Sequence, residues 1–80
     1  MNWNTKILVD FQQGRLDLLY RNVYPGLILY ATKYLNEGNE FLAEDCVQNA
    51  IFKAWERKDK FDSIYTLKAF LYTAIKNELI

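Results

Sequence analysis

Histidine is absent from this 80-residue chain, and cysteine occurs once, at Cys46. The first absence removes the commonest general base and metal ligand. The second excludes an internal disulfide and fits a reducing compartment. No apolar run nears the roughly 20 residues that span a bilayer. The opening Met1-Asn2-Trp3-Asn4-Thr5-Lys6 lacks the charged-then-apolar layout of a signal peptide. Ten basic and ten acidic residues cancel, so no global field draws a polyanion toward the chain. The carboxylates are scattered, and neither a Gly-rich phosphate loop nor a nucleophile motif is present. The reading is therefore not an enzyme: no catalytic residue, no cofactor and no metal is expected. A cytoplasmic location without membrane insertion and a monomeric state are the defaults.

What is present points to a packed fold. The chain is 51% hydrophobic and 16% aromatic, far from the composition of disordered segments. Eighty residues allow one domain, residues 1–80, whose small size demands a well-used core. With three glycines and one proline, no period-two run and recurring 3.6-residue patterns, the expectation is all-α, a compact bundle of three to four helices. The charge is unevenly spread. Up to Phe52 four basic residues face six acidic ones; from Lys53 onward six basic face four acidic.

The spacing predicts a short helix over about 4–12, with Ile7, Leu8 and Phe11 on one face and Gly14 as its stop signal. A second helical stretch covers about 16–35. Pro25 interrupts it, either as a kink in one helix, the favoured reading, or as the start of another. Asn36 to Asn39 reads as a turn. A third helix is expected over about 42–58, a loop over 59–65, and a fourth helix from an N-cap at Thr66. That last helix has no stop signal before Ile80, so the chain end reads as a fragment boundary.

On the third helix Val47, Ala50, Ile51 and Ala54 share one side, with Cys46 beside them as a small buried hydrophobe and Trp55 as a packing anchor. Asp45, Gln48, Asn49, Phe52 and Glu56 gather on the opposite side. An aromatic among hydrogen-bonding groups on an outward face has the composition of a protein-binding hot spot. The plainer alternative is a solvated stripe with another helix over Phe52. On the fourth helix Leu67, Phe70, Leu71, Ala74, Ile75 and Glu78 keep core spacing. Lys68, Tyr72 and Lys76 form a line along the outside, with Ala69, Thr73 and Asn77 beside it. Ammonium groups for phosphates, a ring for stacking and a carboxamide for a base edge suit single-stranded DNA. The loop adds Lys58, Lys60, Phe61 and Tyr65. Lys-x3-Tyr-x3-Lys also occurs on ordinary solvated helices.

Taken in order, Ala43-Glu44-Asp45, Gln48, Trp55, Phe61 and the run Leu67 to Asn77 resemble region 2 of bacterial RNA polymerase sigma factors of the extracytoplasmic-function type. Leu18 to Pro25 with Tyr34-Leu35 resembles the first part of the same region. The resemblance implies a transcription initiation factor domain that binds core polymerase and recognises and melts the minus-ten promoter element. It places Asp45, Gln48 and Asn49 against the clamp helices of the polymerase largest subunit with Phe52 as the apolar centre, and Glu56, on the same outward side, is read with them as core-polymerase-binding. It assigns the segment Phe61 to Tyr65, with Phe61, Ser63 and Tyr65, to a base flipped from the non-template strand, and Lys60 ahead of it is read as DNA-binding. Lys68, Phe70, Tyr72, Thr73, Lys76 and Asn77 then lie on the recognition helix. An anti-sigma factor is a further implied partner. Asn49 departs from a commonly acidic position, and Phe70 from a frequent tryptophan. The helix-turn-helix domain that reads the minus-thirty-five element in this family has no counterpart in residues 1–80. A helical protein-interaction module without a nucleic-acid role is the competing reading, and a covered outer face on the fourth helix would favour it.

Overall fold

Asn4 opens the first helix, α1 (Thr5–Gln12), as an N-cap in extended conformation whose side-chain oxygen accepts from the Ile7 amide at 3.2 Å. The computed structural model describes residues 3–34 and 40–79. Gly14 ends the turn after α1 at φ +88, a left-handed conformation that favours glycine. Ile7, Leu8 and Phe11 are buried, as their spacing predicts.

The second stretch is two helices, α2 (Asp17–Asn22) and α3 (Tyr24–Thr32), and not one kinked helix. The break is Val23, at φ −122 and ψ −19. A continuous helix would drive the Pro25 ring into the carbonyl one turn earlier. Placed in the first turn of α3, Pro25 instead occupies a position whose N–H has no helical partner to lose. The expected turn at 36–39, like Leu35 and Ile80, lies outside the described residues.

Helix α4 (Glu40–Glu56) is followed by a 3-10 turn, Lys58–Lys60, and by α5 (Ile64–Leu79). Helix α4 ends two residues before the expected boundary, and α5 starts two residues earlier than its expected cap. Ser63, not Thr66, caps α5. The Thr66 amide donates to Ser63 Oγ at 3.2 Å, and the Ser63 amide donates to Thr66 Oγ1 at 3.3 Å. That is the reciprocal logic of a capping box, with threonine in the place of the usual Glu or Gln.

Ala43, Val47, Ala50 and Ala54 on α4 are fully buried. Their small side chains let α3 and α5 approach closely, and the volume is filled by Leu27, Ala31, Leu67, Leu71 and Ile75. The Gln12 side-chain amide donates to the carbonyls of Lys58 and Phe61, both at 2.9 Å, tying α1 to the segment between α4 and α5. A radius of gyration of 12.1 Å is close to the ~11.6 Å expected for a single domain of this length. Among the residues whose burial is described, no polar or charged one falls in the buried class. Cys46 is buried, and that burial pushes its thiol up from 9.0, which keeps it protonated and inert.

Candidate interaction surfaces

At about 100° per residue, α4 carries an outward ridge with a different flank on each side. Asp45, Asn49, Phe52 and Glu56 form the ridge and are exposed, Phe52 by 61%. On one flank Gln48, Ile51, Phe52 and Trp55 meet Leu16 and Tyr20, enclosing an apolar groove of about 270 Å³. Gln48 is held in place there. The Tyr20 hydroxyl donates to Gln48 Oε1 at 2.7 Å, and Gln48 Nε2 donates to the Tyr24 hydroxyl at 3.3 Å. The Tyr20 and Tyr24 rings lie 4.8 Å apart, and burial raises the Tyr24 phenol above its ordinary 10.0. Trp55 stands edge-on to Phe11 at 5.8 Å, with the Lys58 ammonium 4.6 Å from its ring centre. Sequence reading named the ridge and Gln48. It missed Leu16 and Tyr20, which belong to a different stretch of the chain.

The segment between α4 and α5 offers less to a ligand than its composition implies. Phe61 is 9% exposed, packs edge-on to Phe70 at 5.4 Å, and is a core residue and not an open aromatic. Its apolar ring closes the bundle where the chain turns from α4 into α5. Ser63 is committed to capping. Lys60, Asp62 and Tyr65 are exposed, Tyr65 by 73%.

On α5 the side chains of Lys68, Ala69, Thr73, Lys76 and Asn77 are exposed, so most of the outer face is open. Tyr72 departs from that expectation. Its ring is half-buried, 4.6 Å from Tyr30 and 6.2 Å from Trp3, and Tyr30 continues to Tyr34 at 5.4 Å. Residues from α3 and from the chain ahead of α1 lean over α5, so the ring cannot serve as a bare stacking platform. Burial raises its phenol above 10.0. The Lys68 ammonium lies 5.9 Å from the Trp3 ring centre.

Phe70 is half-buried beneath the Arg57 guanidinium, 5.2 Å from its ring centre. Together with Thr73, Ala74 and Asn77 of α5, and with Lys53 and Arg57, it lines a cavity of about 240 Å³. This is the second flank of α4, and it is cationic. Lys53 pairs with Glu78 at 2.9 Å on its edge. Sequence reading singled out Phe70, Thr73 and Asn77 but not Lys53 or Arg57. Continuing the α4 wheel past Phe52, where the charge balance turns positive, identifies both. Lys76 is exposed but is not among the lining residues.

Among the described residues no cluster of three or more His, Cys, Asp or Glu side chains is placed to hold a metal, and no helix is long and apolar enough to cross a membrane. The family model described as Sigma-70 region 2 matches residues 19–80, from α2 through α5. No curated protein and no solved structure gives a match.

Proposed function

The chain belongs to the Sigma-70 region 2 family, with its role in RNA polymerase binding and promoter recognition, and we propose that it is of the extracytoplasmic-function type and melts the minus-ten element. The observation that carries this reading is the division of α4 into two flanks. A polymerase subunit and a DNA strand must be held at once, and α4 presents an apolar groove on one side and a cationic cavity on the other.

In the proposed complex the clamp helices of the largest polymerase subunit lie along Asp45, Asn49, Phe52 and Glu56, with Phe52 and the groove beside it as the apolar centre. Gln48 acts from a fixed rotamer, because Tyr20 and Tyr24 hold it before docking. Promoter DNA lies on the other flank. Lys60, Lys68 and Lys76 meet backbone phosphates, which positions the strand without reading it. Asn77 and Thr73, at the mouth of the cavity, meet the edge of a base drawn from the non-template strand. The exposed Tyr65 supplies the stacking surface that Tyr72 and Phe61 cannot. Unpairing a base costs a few kcal/mol, and stacking of about 1–3 kcal/mol per base with the phosphate contacts offsets it. No covalent step is involved. In this reading the domain works in the bacterial cytoplasm, and an anti-sigma factor would regulate it by covering one of the two surfaces.

The test is binding of a fluorescent non-template-strand minus-ten oligonucleotide by the chain assembled with core polymerase. Affinity is expected to fall steeply with salt, to drop with Lys68→Glu across all sequences, and to drop with Asn77→Ala for the specific sequence alone. Affinity indifferent to salt and to both substitutions would remove the DNA surface from the reading.

A further inference from the structure

Glu78 closes the apolar row of α5 with a charge, and neither proposed surface uses it. Its carboxylate accepts from Lys53 Nζ at 2.9 Å, across the gap between α5 and α4. Lys53 is also a lining residue of the cavity that holds Phe70, Thr73 and Asn77. The second cation there, Arg57, is engaged differently, over the face of Phe70. A guanidinium on a ring face keeps its N–H edges for other acceptors, whereas a lysine ammonium paired at 2.9 Å is directed at the carboxylate.

We propose that Lys53 is a DNA-phosphate ligand of this cavity, and that Glu78 masks it by occupying the place the phosphate would take. The proposal rests on the DNA surface assigned above and adds to it a residue from α4 and a built-in competitor. A carboxylate and a phosphate offer an ammonium the same kind of anionic oxygen, and although Nζ has three N–H donors, two anions held against one ammonium repel each other, so they compete for it. Strand entry must therefore weaken or displace the internal pair. That is easy because the pair is partly exposed: the Lys53 side chain is 52% accessible and that of Glu78 27%. Exposed pairs hold weakly. Glu78 therefore tunes the affinity, lowering the attraction for any polyanion while leaving a strand seated by other contacts able to recruit Lys53.

Salt gives the proposal a signature. A phosphate neutralised by a lysine releases its condensed counterion. If that lysine must leave a carboxylate, the carboxylate takes a cation up, and the net release shrinks. Glu78→Gln should thus tighten binding of a mixed-sequence, fluorescein-labelled single-stranded DNA by roughly two- to five-fold at low salt, the range an exposed pair supports. It should also steepen the slope of log affinity against log salt by up to about one. In a Lys53→Gln background the same Glu78→Gln change should do much less, because the masked group is gone. A fold-gain as large in that background as in the wild type overturns the proposal, since it shows only the relief of one negative charge near the strand. If wild type and variants all fail to bind the strand, the DNA surface itself fails. Binding that responds to Lys68→Glu but not to Glu78→Gln sinks the mask alone.

Discussion

Replacing Phe52 with alanine separates a residue that serves the fold from one that serves a partner. The ring is 61% exposed. A phenylalanine can bury roughly 200 Å², so about 120 Å² of this one remains open to solvent. Covering that area at about 25 cal/mol per Å² is worth about 3 kcal/mol on docking. Alanine retains Cβ, which sets the expected loss at about 2–3 kcal/mol, the hot-spot range. In affinity that is a roughly 30- to 160-fold weakening. The cost to folding should be about 1 kcal/mol or less, since most of the ring has no contact to lose. Phe11, fully buried, provides the contrast: its truncation should cost about 3–5 kcal/mol. The assay is a fluorescence anisotropy titration of the chain against the isolated clamp-helix segment of the polymerase largest subunit, paired with urea unfolding of each variant. A Phe52→Ala affinity within two-fold of wild type, at an unchanged urea midpoint, would refute the assignment. A large drop in the urea midpoint would show instead that Phe52 is a packing residue.

Two further outcomes follow from the fold. Ser63→Ala removes the oxygen that accepts the Thr66 amide, so urea unfolding should show a loss of about 1 kcal/mol. Burial raises the Tyr24 and Tyr72 phenols above 10.0. The folded state then binds more protons than the unfolded one in the range just above pH 10, so stability holds below that pH and falls as pH rises through the folded values. Both rings are only part-buried, so the decline should be shallow. Tyr72→Phe should flatten it further in urea titrations across that range, and an unchanged limb would show that burial of the Tyr72 phenol does not contribute.

The fold was legible wherever a single helix carried its own signal. Ile7, Leu8 and Phe11, and Val47, Ala50, Ile51 and Ala54, sit at helical spacing and are buried, because periodicity reports the face a helix turns inward. The boundaries were harder. A serine three residues before a threonine is an ambiguous cap: either hydroxyl can start the helix, and the structure uses Ser63 with Thr66 as its reciprocal partner. At Pro25 a kink and a new first turn differ by a single residue's backbone angles. The dihedral of Val23, not any side chain, decides between them.

The residues whose exposure was misread share one cause, which is that a helical wheel knows only its own helix. Tyr72 lies on the outer line of α5, yet Trp3 and Tyr30 reach it from elsewhere in the chain. Phe61 stands in a segment that reads as an open loop. Phe70 and the two Gln12 hydrogen bonds nevertheless hold that segment in place. The same blindness hid a gain. Lys53 on α4 and Arg57 just past its end look like solvated charges until α5 is laid beside them, when they become the wall of a cavity that also holds Asn77. A ligand surface between helices is a property of pairs of faces. One sequence states each face but not which faces meet. The outward ridge of α4 escaped this difficulty because no described element covers Phe52, so its own wheel was enough to find it.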